Sequence, residues 1–295
     1  MILIQLLRAS ISSALPIAIA AVGALYTQLA GKLNIAIEGL MLLSCFVAVY
    51  VANRIGLFIA VLSAMLVSCL ISVVVWLLHK YLMTNIFVVG VGINILTSGF
   101  VVLLSSTILG SKGTVFFENI QKIPIIRARF FEENSLLQAM FSGYNVLELL
   151  ALSLIVVSWL VVRKTPFGLR LRVLGKSETV ASHLGLNVNG IRLASFVLCG
   201  LFCGLAGAML SLPLGLFVTG MTNNRGWLAL VATVLGGENP STVFIVSLVL
   251  GLTMSLSNRL QIFLKLPAEI VLSLPLILTL CVVLFHNILK TVRRS

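Results

Sequence analysis

Side chains able to do chemistry are scarce here: eight acidic residues, three histidines and five cysteines among 295 residues. The carboxylates fall mostly in loops and nowhere form a pair suited to general acid–base work. His79, His183 and His286 are scattered near the ends of apolar runs. No HExxH, Ser/His/Asp or paired-carboxylate arrangement is present. Cys45, Cys69, Cys199, Cys203 and Cys281 all lie inside apolar runs. Cys199 and Cys203 share a helical face, but nothing nearby completes a metal site, so they read as small packing residues. Neither an enzyme nor a resident metal is expected.

Four stretches place polar or small residues informatively. In Gly31–Met41, Asn34 and Glu38 are four apart, so a helix would put them on one face. A carboxylate near the apolar core costs about 2.5–3.5 kcal/mol on insertion scales. Glu38 should therefore face a protein interior or an aqueous path, with Lys32 or a helix N-terminus as partner, or else cap the chain where it re-enters the bilayer. In Thr165–Gly185, Gly175-Lys176-Ser177 looks like the end of a P-loop. That motif needs a glycine five positions before its last one, and Arg170 stands there. The better reading is a short helix with Ser177 as N-cap and Glu178 in its first turn. Ala181 and Gly185 then fall near the same face, with Ser182 beside them, as a docking surface; a solvated basic loop is the alternative. In Ser195–Leu210, Gly200, Gly204 and Gly207 allow close helix packing. Finally, Arg225 and Trp227 suit an interfacial anchor, with a gate as the second reading.

Long apolar elements must position these residues. The chain is 60% hydrophobic and 9% charged, too little polar surface for an ordinary soluble domain. Continuous runs such as Ile59–Leu78 fit helices rather than the short alternating strands of a barrel. Apolar segments fall at Ile11–Ala30, Leu33–Val51, Leu57–Leu78, Ile86–Leu109, Val146–Val162, Ile191–Leu212, Trp227–Gly236, Val243–Leu260 and Ile270–Ile288. This predicts an all-α polytopic bundle of nine spans, within a range of eight to ten, forming one membrane domain over 1–295. Arg8 before the first run could suggest a signal peptide, but the run continues into the second, so it reads as a first span. The seventh segment is short and reads as a tilted or broken helix. Leu57–Leu78 and Val243–Leu264 have similar texture, a weak sign of an internal repeat.

Basic residues set the orientation. Arg163, Lys164, Arg170, Arg172, Lys176 and Arg192 face a single Glu178, and the C-terminal tail carries Lys290, Arg293 and Arg294. The positive-inside rule places the 163–190 loop and the tail in the cytoplasm and the 110–143 loop outside. Four crossings then separate the two basic anchors, which requires the short segment at Trp227 to cross. Arg8 and Lys32 nearly cancel, leaving the N-terminal end open. The net charge of +12 is accounted for by anionic inner-leaflet lipid, so no nucleic-acid partner is expected.

Together, Gly31-x-x-Asn34-Ile-x-x-Glu38-Gly39-x-Met41, Gly168-x-x-x-Arg172, Glu178-x-x-Ala181-x-x-x-Gly185, the glycine-rich sixth span and Arg225–Gly236 resemble the permeases of ABC importers. The family includes branched-chain amino acid, ribose-type sugar and nucleoside systems; the Asn-Ile-x-x-Glu-Gly element looks most like the nucleoside branch. Ser44-Cys45 stands where the family usually has Gly-Ala, Asn224 where Gly is usual, and Lys176-Ser177 where Glu-Asn or similar is expected. The resemblance implies a type II importer-like permease of the cell membrane that pairs with a sister permease or a second copy. It implies a separate cytoplasmic ATPase docking near Glu178, Ala181, Ser182 and Gly185. An extracytoplasmic binding protein or lipoprotein would deliver a small polar solute, a nucleoside first. ATP belongs to the ATPase, and no cofactor is expected on this chain. Asn34, Glu38, Asn94 and Trp227 are the candidates for the translocation path. A permease for a simple sugar or branched-chain amino acid is the competing reading, and an ion-coupled secondary transporter a more distant one.

Overall fold

The computed structural model describes residues 2–111, 113–117, 120, 123–126 and 143–264. Its helices are α1 (Ile2–Leu29), α2 (Ile37–Arg54), α3 (Leu57–Leu82), α4 (Ile86–Ile108), α5 (Val146–Lys164), α6 (Pro166–Lys176), α7 (Glu178–His183), α8 (Val188–Ser211), α9 (Arg225–Gly236) and α10 (Pro240–Leu264). Among the described residues, seven helices are long and apolar enough to cross a membrane, and α9 is a shorter apolar one. The expected ninth span, Ile270–Ile288, lies outside the described residues.

Contacts at the two ends of the bundle give each helix its direction. At one end β1 (Thr114–Phe116) pairs antiparallel with β4 (Leu216–Val218), and β2 (Ile125–Ile126) with β3 (Tyr144–Asn145). The Arg8 guanidinium donates to the Gly143 carbonyl at 2.5 Å, and the Ser12 hydroxyl donates to the Glu148 carboxylate. The first turns of α1 therefore sit beside the start of α5. At the other end Gly175 packs on the Leu29–Gly31 backbone, and Arg163 donates to Asn239 Oδ1 at 2.9 Å. This second end carries the basic cluster, and the positive-inside rule assigns it to the cytoplasm. By that rule α1, whose start lies at the opposite end, begins outside and runs inward.

These directions reveal an inverted order. α1 runs inward, breaks, and is followed by α2 and the long α3. α8 runs outward, breaks, and is followed by the short α9 and the long α10. The pair of similar texture, Leu57–Leu78 and Val243–Leu264, falls on α3 and α10, equivalent members of the two triplets. Inverted repeats of this kind are a recurrent plan in membrane transporters.

Lipid removes the hydrophobic drive between helices, so close packing and hydrogen bonds must hold the bundle. α8 shows the close packing. A Cβ on Gly200 would lie 2.5 Å from Cys69 Cα, and one on Gly204 2.5 Å from Met65 Cα, both on α3. Gly207 meets the Met41 carbonyl and Ser44 of α2. The three glycines thus meet two different neighbours, α3 and α2. Ser44 and Cys45 fit the same seam: the Ser44 hydroxyl donates to Leu40 O at 2.7 Å and the Cys45 thiol to Gly207 O at 3.2 Å.

Candidate functional site

Two breaks in the helices meet inside the bundle. The first separates α1 from α2. The helix expected from Leu33 begins instead at Ile37, so Asn34 and Glu38 do not share a helical face. The cause is local: Asn34 Oδ1 accepts the Ala36 amide at 3.0 Å, an Asx turn that competes with helix formation. The Asn34 amide donates to Thr27 Oγ1 at 3.1 Å, and its side-chain Nδ2 to Ser72 Oγ at 3.1 Å. Asn94, on α4, completes the arrangement. Its Nδ2 donates to the Ile35 carbonyl at 2.9 Å, and its Oδ1 accepts the Gly39 amide at 2.8 Å. Asn34 is 0% and Asn94 9% exposed. Non-helical backbone at membrane depth survives only where protein satisfies its polar groups, and these two amides do so. Asn94 is the ninth residue of a 23-residue helix, which puts the break well inside the bilayer.

The second break precedes α9. Twelve residues span about 18 Å, against roughly 30 Å of hydrocarbon. The turn before it has two consecutive left-handed residues, Asn223 at φ 49° and Asn224 at φ 64°. Asparagine tolerates that conformation better than most residues, which explains how Asn224 stands where the resembled family has glycine. The turn's orphan groups are met from both sides. Glu38 Oε1 accepts the Asn224 amide at 3.2 Å and Oε2 the Gly226 amide at 2.7 Å. The Arg225 guanidinium donates to the Met221 and Thr222 carbonyls, each at 3.3 Å. A Cβ on Gly226 would sit 2.5 Å from Glu38 Cα, so the two backbones touch.

Glu38 therefore serves two helices: it lies in the first turn of α2 and caps the first turn of α9, where helix dipoles favour a negative charge. Lys32 is not its partner. From this junction α9 runs toward the basic end of the bundle. The Thr233 hydroxyl donates to Ala21 O at 2.9 Å, and Gln28 donates to Gly237 O at 3.4 Å. α9 is thus the short helical arm of the segment read in the sequence as tilted or broken at Trp227–Gly236. Trp227 itself is half-buried and packs against the core.

At the basic end of the bundle, Ser177 caps α7 as expected, its Oγ accepting the Val180 amide at 3.3 Å. Glu178 forms a bidentate pair with Arg192, at 3.0 and 2.7 Å. These bonds hold its carboxyl below the usual carboxylate range, and Lys32 and His79 add to the effect. Ala181 faces inward and is 0% exposed, whereas Val180 and Leu184 are 51% and 64% exposed. Val180 and Leu184, four apart, share one exposed face of α7, while Ser182 lies on the side of Glu178 and is exposed as well. Gly185 follows at φ 71° with open space around it.

Glu148 was not singled out in the sequence, although Asn145-x-x-Glu148 is a capping-box pattern. It caps α5, accepting the Asn145 amide at 2.7 Å. With Ser12, Ser13 and Arg225 it lines a cavity of about 230 Å³ near the outer ends of α1, α5 and α8. Among the described residues no three His, Cys, Asp or Glu side chains are grouped to hold a metal ion.

The family described as the permease component of branched-chain amino acid transport systems matches residues 6–283. The chain is 29% identical over 300 residues to the guanosine ABC transporter permease protein of Bacillus subtilis, covering 95% of this chain and 91% of that one. It is 26% identical to the nucleoside ABC transporter permease protein of Lactococcus lactis subsp. cremoris, covering 82% and 78%. A solved chain from an ABC transporter in an inward-facing conformation aligns at a TM-score of 0.47 and 19% identity, over 90% of this chain and 81% of that one.

Proposed function

The chain belongs to the permease-component family of branched-chain amino acid transport systems, and from that premise we propose that it imports a nucleoside using ATP hydrolysed by a separate subunit. The observation that carries the reading is the bare apolar surface at Val180 and Leu184. It stands outside the apolar spans, beside the basic cluster, where lipid does not cover it and an ATPase subunit would. A nucleoside is favoured over other cargo because the relatives named for guanosine and nucleosides align over most of this chain.

In this reading the chain forms half of the path with a sister permease or a second copy, and an extracytoplasmic protein delivers the solute. ATP stays on the motor subunit, and this chain holds no cofactor. Asn34, Glu38 and Asn94 shape the wall of the path by holding the two breaks in place, their polar atoms largely committed to backbone, and Trp227 packs beside them. Glu178 fixes α7 through Arg192, and Val180, Ser182 and Leu184 with Gly185 beside them meet the motor. The test is uptake into proteoliposomes carrying the complete transporter, offered labelled guanosine, ribose or leucine. The expected result is guanosine uptake that follows ATP and ignores ionophores. Preference for ribose or leucine would reassign the cargo, and uptake driven by an ion gradient without ATP would end the importer reading.

A further inference from the structure

The cytoplasmic loop meets the α1–α2 link backbone to backbone. A Cβ on Gly175 would run into the Leu29 carbonyl, and one on Gly31 would lie 3.3 Å from Gly175 Cα. Gly31 is also at φ 77°, where the chain turns back into the bundle. From Gly31 the link passes Asn34 and Ile35, both held by side-chain amides, and reaches Glu38. Glu38 holds the first amides of α9. α7 continues directly from α6, since the Ser177 amide closes the last turn of α6 on Val173 O at 3.1 Å. One continuous chain of backbone contacts and saturated hydrogen bonds therefore runs from α7 to the start of α9. Backbone contacts at Gly31–Gly175 and Glu38–Gly226, with the side chains between them fixed by hydrogen bonds, leave little slack, and close-packed interiors pass displacement on rather than absorb it.

We propose that Gly31, Gly175 and Glu38 are positioning residues that make the start of α9 follow displacement of the α6–α7 loop, an inference that rests on that loop being the motor's landing surface. Motion at the loop then reaches the broken helix at the centre of the bundle through the α1–α2 link.

The test compares the complete transporter in proteoliposomes with Gly175→Ala and Glu38→Gln variants, and with Gly99→Ala, where a Cβ meets open space. ATP hydrolysis is expected to stay within about twofold while uptake per ATP falls about tenfold in the first two variants and is unchanged in the third. A structural role alone would lower hydrolysis and uptake in proportion; that outcome, or unchanged uptake per ATP, overturns the proposal. Should Gly175→Ala fail to insert, Glu38→Gln, which keeps the side chain's volume, carries the comparison. A spin label at Val234→Cys, on the exposed side of α9, should respond to ATP in the wild type and lose the response in Glu38→Gln. A retained response overturns the proposal. If Leu184→Asp leaves the ATPase bound and uptake unchanged, the landing-surface reading fails, a result separable from the others that withdraws the proposal with it.

Discussion

Glu38 accepts two amides that no helical bond can satisfy, and charged acceptors of this kind contribute about 1.5–3 kcal/mol each. Glu38→Ala should therefore lower the detergent-solubilised stability by roughly 3 kcal/mol or more, read as a drop in the midpoint of thermal aggregation. Asn34→Ala, which leaves the buried Ala36 amide and Ser72 hydroxyl with fewer partners, should cost about 1–3 kcal/mol. The Glu178–Arg192 pair is a weaker matter, because the carboxylate side is 56% exposed and such pairs contribute at most ~1 kcal/mol. Its pH dependence has a definite sign. The folded value is depressed, so the contribution is complete above the unfolded value of about 4.3 and fades as pH falls through the folded one. Thermal midpoints of the wild type and Arg192→Gln should accordingly run parallel from about pH 5 to 8 and converge only in stronger acid. The importance of Glu38 was legible in the sequence because a carboxylate beside apolar runs needs a reason. Its partner was not, because the α9 amides lie far along the chain at Asn224 and Gly226.

Helices show the same division. Long apolar runs announced α3, α4, α5 and α8 to within a few residues, since the bilayer demands length and continuous apolarity. Breaks are harder: Leu33–Ala36 is as apolar as the helix it precedes, and only the Asn34 side chain turns it out of helical form. The glycines of α8 declared a packing face, but their partners, α3 for Gly200 and Gly204 and α2 for Gly207, required the structure. Gly204→Leu should force α8 from α3 and abolish the folded peak in size-exclusion chromatography, whereas Gly99→Leu, in open space, should leave it in place. At the α9 cap, Asn224→Gly should preserve stability, while Asn224→Val, β-branched at φ 64°, should cost about 1–3 kcal/mol, read by the same thermal assay.

At the scale of the whole chain, two inverted triplets of helices share one junction at Glu38, and one end of the bundle gathers the basic residues. Orientation followed from charge alone in the sequence except at the N-terminus, where Arg8 and Lys32 balanced until the Arg8–Gly143 contact placed α1. The short helix at Glu178–His183 was legible in the sequence, but not the inward turn of Ala181, since a six-residue helix has too few positions to show which side turns inward. Import by this route requires the exposed face of that helix to be cytosolic and covered by a motor. The direct measurement is the reaction of Leu184→Cys with a membrane-impermeant thiol reagent, with the unsubstituted chain as blank, in intact cells and in inverted vesicles with and without the ATPase subunit. Labelling is predicted only in inverted vesicles, with the ATPase slowing it about tenfold or more. Labelling from outside intact cells, or an equal rate with the ATPase bound, would contradict the account.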